Sequence, residues 1–117
     1  MSGYLTTHVL NTATGQPAEG LKIELFRLEG ETRTALRTLT TNADGRTDVH
    51  ILPAEDFATG TYELVFHCGD YLDRTGVPPE SPRFLDVVPL RFGMSEASHY
   101  HVPLLLSPFG YATYRGS

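Results

Sequence analysis

Leu21-Lys22-Ile23-Glu24-Leu25-Phe26-Arg27-Leu28 alternates apolar and charged side chains for most of its length. Side chains of an extended chain point to opposite faces in turn, so this order describes a strand with one dry and one wet face. The rhythm returns in Thr61-Tyr62-Glu63-Leu64-Val65-Phe66-His67. Working outward, Glu29-Gly30-Glu31 reads as a hairpin turn into a strand over 32–41. Asn42-Ala43-Asp44-Gly45, with Gly45 suited to a positive φ, leads into a short strand over 46–51. Residues 5–10 read as a strand closed by the loop 11–17, and further strands are expected over 84–92, 99–106 and 111–115. One short helix is expected over 70–76, ending at a glycine beyond its last turn, and Pro78, Pro79 and Pro82 mark an exposed loop. About seven or eight short strands with frequent turns predict an all-β, two-sheet sandwich that occupies residues 1–117 as one domain.

Composition narrows the function. The 117 residues carry a net charge of −5 with one lysine and eight arginines, and no basic stripe or cluster, so a nucleic-acid partner is not expected. Cys68 is the single cysteine, which rules out an internal disulfide, and no paired-cysteine motif offers a zinc ribbon. No stretch approaches the ~20 apolar residues of a membrane span. Residues 1–8 lack a basic segment followed by an apolar core, so no secretory leader is expected. The expected location is cytoplasmic. A periplasmic or peroxisomal home stays open, although Arg-Gly-Ser is not the Ser-Lys-Leu address. Leu104-Leu105-Leu106 abandons alternation, so both faces of its strand are apolar. Either a loop or another subunit must cover the second face, and oligomerisation is the better explanation.

Five histidines are present: His8, His50, His67, His99 and His101. Imidazole is the side chain best suited to moving protons near neutral pH. His99 and His101 stand two apart on an expected strand and share one face, with Tyr100 on the other. His8 takes a comparable polar position in the first strand, and Arg46 follows directly after the 42–45 turn. Histidines, an arginine and the terminal Ser117 would make a hydrolytic centre without metal, one imidazole activating water and the cation holding a developing oxyanion. His50 and His67 read instead as surface or hydrogen-bonded structural residues. The His-x-His pair would bind metal only with a third ligand, for which His8 is the candidate. No Gly-x-Ser-x-Gly elbow exists, so a nucleophilic serine is not expected.

Residues 5–18, Thr41-Asn42-Ala43-Asp44-Gly45-Arg46, and the closing run from His99-Tyr100-His101-Val102-Pro103 to Tyr114-Arg115-Gly116-Ser117 closely resemble the transthyretin-related 5-hydroxyisourate hydrolases. The likeness covers essentially the whole chain, most loosely at 54–61 and 77–82. Asn11 stands where many members carry aspartate. The closing Tyr-Arg-Gly-Ser is the most specific element, since it separates these hydrolases from transthyretin itself.

The resemblance implies a transthyretin-like (prealbumin-like) sandwich with one short helix, assembled as a homotetramer, a dimer of dimers, with active sites in a central channel. The implied substrate is 5-hydroxyisourate, formed by urate oxidation in purine degradation. Its N1–C6 amide would be hydrolysed to 2-oxo-4-hydroxy-4-carboxy-5-ureidoimidazoline, with no cofactor and no metal. His8, Arg46, His101 and Ser117 match the family's catalytic positions, while His99, Tyr114 and Arg115 are expected to bind substrate, Tyr114 by narrowing the channel. Arg46 is expected to lower the imidazole pKa values by like-charge repulsion. The alternative is a transthyretin-like carrier of a small ligand without catalysis. Against it, His8, Arg46 and His101 would fill an apolar channel with polar groups.

Overall fold

The alternating segments pair with one another along one sheet, and the segments that carry His8, His99 and His101 lie on the other side of the sandwich. A computed structural model describes residues 3–116. In chain order these contain β1 (Tyr4–Thr6), β2 (Val9–Asn11), β3 (Gln16–Pro17), β4 (Lys22–Glu29) and β5 (Thr32–Thr40). A short 3₁₀ turn (Ala54–Asp56), β6 (Gly60–His67), α1 (Cys68–Arg74), β7 (Val87–Met94), β8 (His99–His101), β9 (Leu104–Ser107) and β10 (Gly110–Thr113) follow. One sheet has the order β5-β4-β6-β7 and is antiparallel throughout; the other has the order β10-β9-β2-β3, with β1 and β8 as a parallel pair.

The core lies where the dry faces meet. Ile23 and Leu25 of β4, Leu64 and Phe66 of β6, and Val9, Leu104 and Leu106 of the second sheet are all 0% exposed. Truncating Phe66 to alanine would cost about 3–5 kcal/mol, the usual range for an aromatic removed from a packed core. The β4–β5 register shifts between Leu25 and Phe26, which leaves Leu36 as the extra residue of a bulge in β5. β4 keeps an unbroken register with β6, so Phe26 stays on the outer face beside Glu63, where the Arg33 guanidinium covers its ring at 3.9 Å while Leu25 points into the core.

Five expectations for local structure are corrected. The strand expected over 5–10 is two pieces, β1 and β2, and that over 99–106 is β8 and β9. Pro103 has no N–H to donate at the second break, and the Val102 carbonyl accepts from the buried Thr7 hydroxyl at 2.7 Å. The register is nevertheless continuous, since Thr6 pairs with His101 and Val9 with Leu104, the same offset on both sides. Residues 46–51 are not a strand; the segment touches the sheets through isolated bridges, His8 to Arg46 and Leu5 to Leu52. The expected strand at 84–92 begins later, at Val87. The helix begins at Cys68 because Cys68, Gly69, Tyr71 and Leu72 all bury against the sandwich, and it stops at Arg74, ahead of Gly76 with φ 83°. None of its seven residues forms a span, and no helix among the described residues is long and apolar enough to cross a membrane.

Candidate active site

Strand alternation sorts the polar residues before any contact is measured. Leu5, Thr7 and Val9 point into the core, at most 2% exposed, so Thr6 and His8 point out. Tyr100, Val102 and Leu104 are likewise buried, which leaves His99 and His101 on the same outer face. The parallel register then seats Thr6 beside His101. Thr6 Oγ1 lies 2.7 Å from both His99 Nε2 and His101 Nδ1. The other ring nitrogen of His101, Nε2, is 2.6 Å from His8 Nδ1, and the two rings stack with centroids 4.8 Å apart. Tyr4 stacks on His99 at 4.1 Å and on His50 at 4.5 Å, which holds the His99 ring in its plane.

The turn before Arg46 delivers a cation to this face. Asn42 Oδ1 accepts from the N–H groups of Asp44 and Arg46, and the Asn42 N–H donates to the Arg46 carbonyl at 2.7 Å. Gly45 donates to the Asn42 carbonyl, and its own carbonyl accepts from Val9 N–H at 2.8 Å. Its φ is 72°, and a Cβ there would lie 2.4 Å from the Val9 carbonyl oxygen. Only glycine permits so close an approach. The result is the bridge that sets exposed Arg46 opposite His8.

These surroundings disfavour protonated imidazole. Burial lowers the pKa of His8 below the usual histidine value, and the nearby Arg46 charge lowers it further. Burial is also the largest cause for His101, followed by His8, Arg46 and His99, and together they bring it down to about 4. His99 is lowered by burial and then by His50. Repulsion from Arg46 was the expected cause; it operates, but desolvation leads. The pair is therefore neutral at pH 7, with a base within reach of a cation.

The tail runs alongside this cluster. Gly116 N–H donates to the His101 carbonyl at 2.7 Å, and a Cβ on Gly116 would sit 3.0 Å from the His101 ring. Thr113 Oγ1 donates to the Pro103 carbonyl at 2.7 Å. The Arg115 guanidinium lies over the Tyr100 ring at 4.2 Å. Tyr114 and Arg115 line a cavity of about 300 Å³ with Leu90, Phe92 and Val102, at the β7 edge rather than over the histidine pair. Ser117 lies outside the described residues.

Of the residues singled out in the sequence, His8, Arg46, His99 and His101 converge, whereas Tyr114 and Arg115 occupy the neighbouring edge cavity. His67 is removed from the cluster and bonds Glu24 at 2.6 Å. Sequence reasoning missed Thr6, Tyr4 and Gly116. Period two from His8 puts Thr6 and Tyr4 on its face, but which strand lies beside them needs the register. Among the described residues no group of three or more His, Cys, Asp or Glu is placed to hold a metal ion, and both His101 nitrogens already have partners. The Cys68 thiol is buried and pushed up to about 12 by desolvation and Asp86, which leaves it inert.

A neutral imidazole pair beside a guanidinium can take a proton from water and hold the oxyanion that follows its attack on a carbonyl. The model of the HIUase/Transthyretin family matches residues 5–116. The chain is 64% identical to 5-hydroxyisourate hydrolase 2 of Rhizobium meliloti (strain 1021), covering 99% of this chain and 98% of that protein. Among solved structures it is similar to (S)-allantoin synthase, with TM-score 0.92 and 43% identity over 99% of this chain and 44% of that one. It is also similar to 5-hydroxyisourate hydrolase of Klebsiella pneumoniae, with TM-score 0.80 and 36% identity over 98% of this chain and 94% of that one.

Proposed function

The chain belongs to the HIUase/Transthyretin family, and we propose that it is the enzyme of that family, a 5-hydroxyisourate hydrolase, and not a ligand carrier. The observation that carries this reading is the 2.6 Å contact between His8 and His101 beside Arg46, a polar and proton-competent face. An apolar ligand would have to desolvate all three groups without offering them hydrogen bonds. A planar, electron-poor cyclic amide would instead give oxygens to the guanidinium fork and a carbonyl carbon to the activated water.

In this mechanism the neutral pair takes a proton from water, and the hydroxide attacks the carbonyl of the N1–C6 amide. Arg46 stabilises the oxyanion of the tetrahedral intermediate. The C–N bond then breaks as the ring nitrogen that took the proton returns one to the leaving nitrogen, which yields 2-oxo-4-hydroxy-4-carboxy-5-ureidoimidazoline. Ser117 orients water or a ring nitrogen and His99 contacts substrate, whereas Tyr114 and Arg115, which line the edge cavity of their own chain, would reach a substrate only in a neighbouring copy. No metal or cofactor takes part. The histidine face is open within one chain, and half-buried Leu10 and Leu105 lie beside it. A homotetramer would cover both, bringing Tyr114 of a second copy toward the channel.

Freshly made 5-hydroxyisourate, generated from urate by urate oxidase and followed by ultraviolet absorbance, tests the reading. The purified protein should accelerate its decay, and a chelator should leave that rate unchanged. Decay at the spontaneous rate would discard the hydrolase and favour the carrier.

A further inference from the structure

We propose that Thr6 is a positioning residue whose hydroxyl joins His8, His101 and His99 into one directional proton wire, so that the three imidazoles change tautomer together. The inference rests on the reading of His8 and His101 as the acid–base pair. The contacts form an unbroken line: His8 Nδ1 to His101 Nε2 at 2.6 Å, His101 Nδ1 to Thr6 Oγ1 at 2.7 Å, and Thr6 Oγ1 to His99 Nε2 at 2.7 Å. Each neutral imidazole carries one N–H and one bare nitrogen, and a hydroxyl has a single proton to donate.

Two arrangements satisfy every atom in the line. In the first, His8 Nδ1–H donates to His101 Nε2, His101 Nδ1–H donates to Thr6, and Thr6 donates to His99 Nε2. All three rings then carry their proton on Nδ1. In the second, every bond is reversed and all three rings carry it on Nε2. A mixed set leaves either the hydroxyl proton or one ring nitrogen without a partner on a half-buried face, which is unfavourable. One hydroxyl thus ties the tautomer of the catalytic pair to that of His99.

The wire balances over a turnover. A proton taken from water at His8 Nε2 displaces the Nδ1 proton to His101. His101 passes its own Nδ1 proton to Thr6, Thr6 passes its proton to His99 Nε2, and His99 Nδ1 releases one to solvent. One proton enters, one leaves, and the line now has the second polarity. His8 Nε2 then holds the proton that the leaving nitrogen requires. Its donation draws one proton back in at His99 Nδ1 and restores the first polarity. Tyr4, stacked between His99 and His50, keeps the outer ring aligned with the hydroxyl.

The test uses the full chain as Thr6→Val, Thr6→Ala and Thr6→Ser, with 5-hydroxyisourate turnover and two-bond ¹H–¹⁵N spectra of histidine-labelled protein. Thr6→Val should lower kcat roughly tenfold or more with KM within about twofold, and Thr6→Ser should recover most of the loss. Wild-type spectra should give His8, His101 and His99 one common tautomer, and Thr6→Val should make His99 independent of the other two. Thr6→Ala repeats both readouts should the valine variant not fold, as judged by circular dichroism. Retained kcat in the valine or alanine variant, a serine variant as impaired as the valine, or unlike tautomers in the wild type would each overturn the wire. A wild type without turnover would refute the hydrolase reading instead, and the spectra would then judge the wire alone.

Discussion

The two sheets put polar side chains on their outer faces in opposite ways. On β4, β5, β6 and β7 charges meet their opposites. Glu63, only 7% exposed, accepts from Arg33 at 3.1 Å and Arg91 at 3.4 Å, and Glu24 accepts from His67 at 2.6 Å. On the other sheet His8, His99 and His101 face one another and Arg46, and no carboxylate is hydrogen-bonded to any of them among the described residues. Imidazole beside a carboxylate is a structural clasp; half-buried imidazole beside imidazole and guanidinium is kept neutral. The same residue type therefore pairs with a carboxylate on one sheet and, on the other, is half-buried against further imidazoles and a guanidinium.

The largest effect should come from exchanging which histidine is lost. His101→Ala should slow 5-hydroxyisourate hydrolysis by ~10²–10⁴-fold, the usual cost of removing a general base, with the circular dichroism spectrum unchanged. His67→Ala should leave the rate within about twofold and lower the melting temperature instead. Equal losses from both substitutions would erase the distinction between the sheets. Gly45→Ala comes next. It forces a Cβ against the Val9 carbonyl at a positive φ and should cost more than ~1 kcal/mol of stability, and it should also lower turnover as Arg46 moves away.

Smaller, but more diagnostic, is the pH response. The His101 pKa lies at about 4 in the fold, below its unfolded value of 6.5, so the unfolded chain binds more protons between those values. The stability contributed by neutral His101 is present above pH 6.5 and is lost as pH falls toward about 4. Arg46→Gln should raise the pKa of both His8 and His101 in an NMR titration and flatten that slope, and unchanged values would mean that burial alone sets them. The least effect is expected from Glu24→Gln. Its carboxyl is held below the usual value chiefly by the His67 hydrogen bond, yet the pair sits near the surface and should be worth less than about 1 kcal/mol.

Legibility followed the same division. β4 and β6 could be bounded to within about a residue, because strict alternation between turn residues leaves little choice of register with the core. The Asn42 to Gly45 turn was equally plain, since Asn and Gly have specific conformational uses. The segment 46–51 misled, because β-branched composition is shared by strands and by extended loops that pair at single residues. The breaks at 7–8 and 102–103 were hidden for a different reason: Pro103 announces a missing donor, but the Thr7 hydroxyl that answers the Val102 carbonyl comes from 95 residues away. Thr6 was invisible as a partner of His99 and His101 for the same reason.

Residue chemistry and period alone determined the sandwich, the outward face of His99 and His101, and the conformation that Gly45 must take. Those properties depend on a residue and its immediate neighbours. Only the tertiary structure decided that Thr6 stands between two imidazoles, that His8 meets His101 and that burial outweighs Arg46 in lowering their pKa values. Each of these depends on distances between strands far apart in the chain, and on how much water the packing leaves around them.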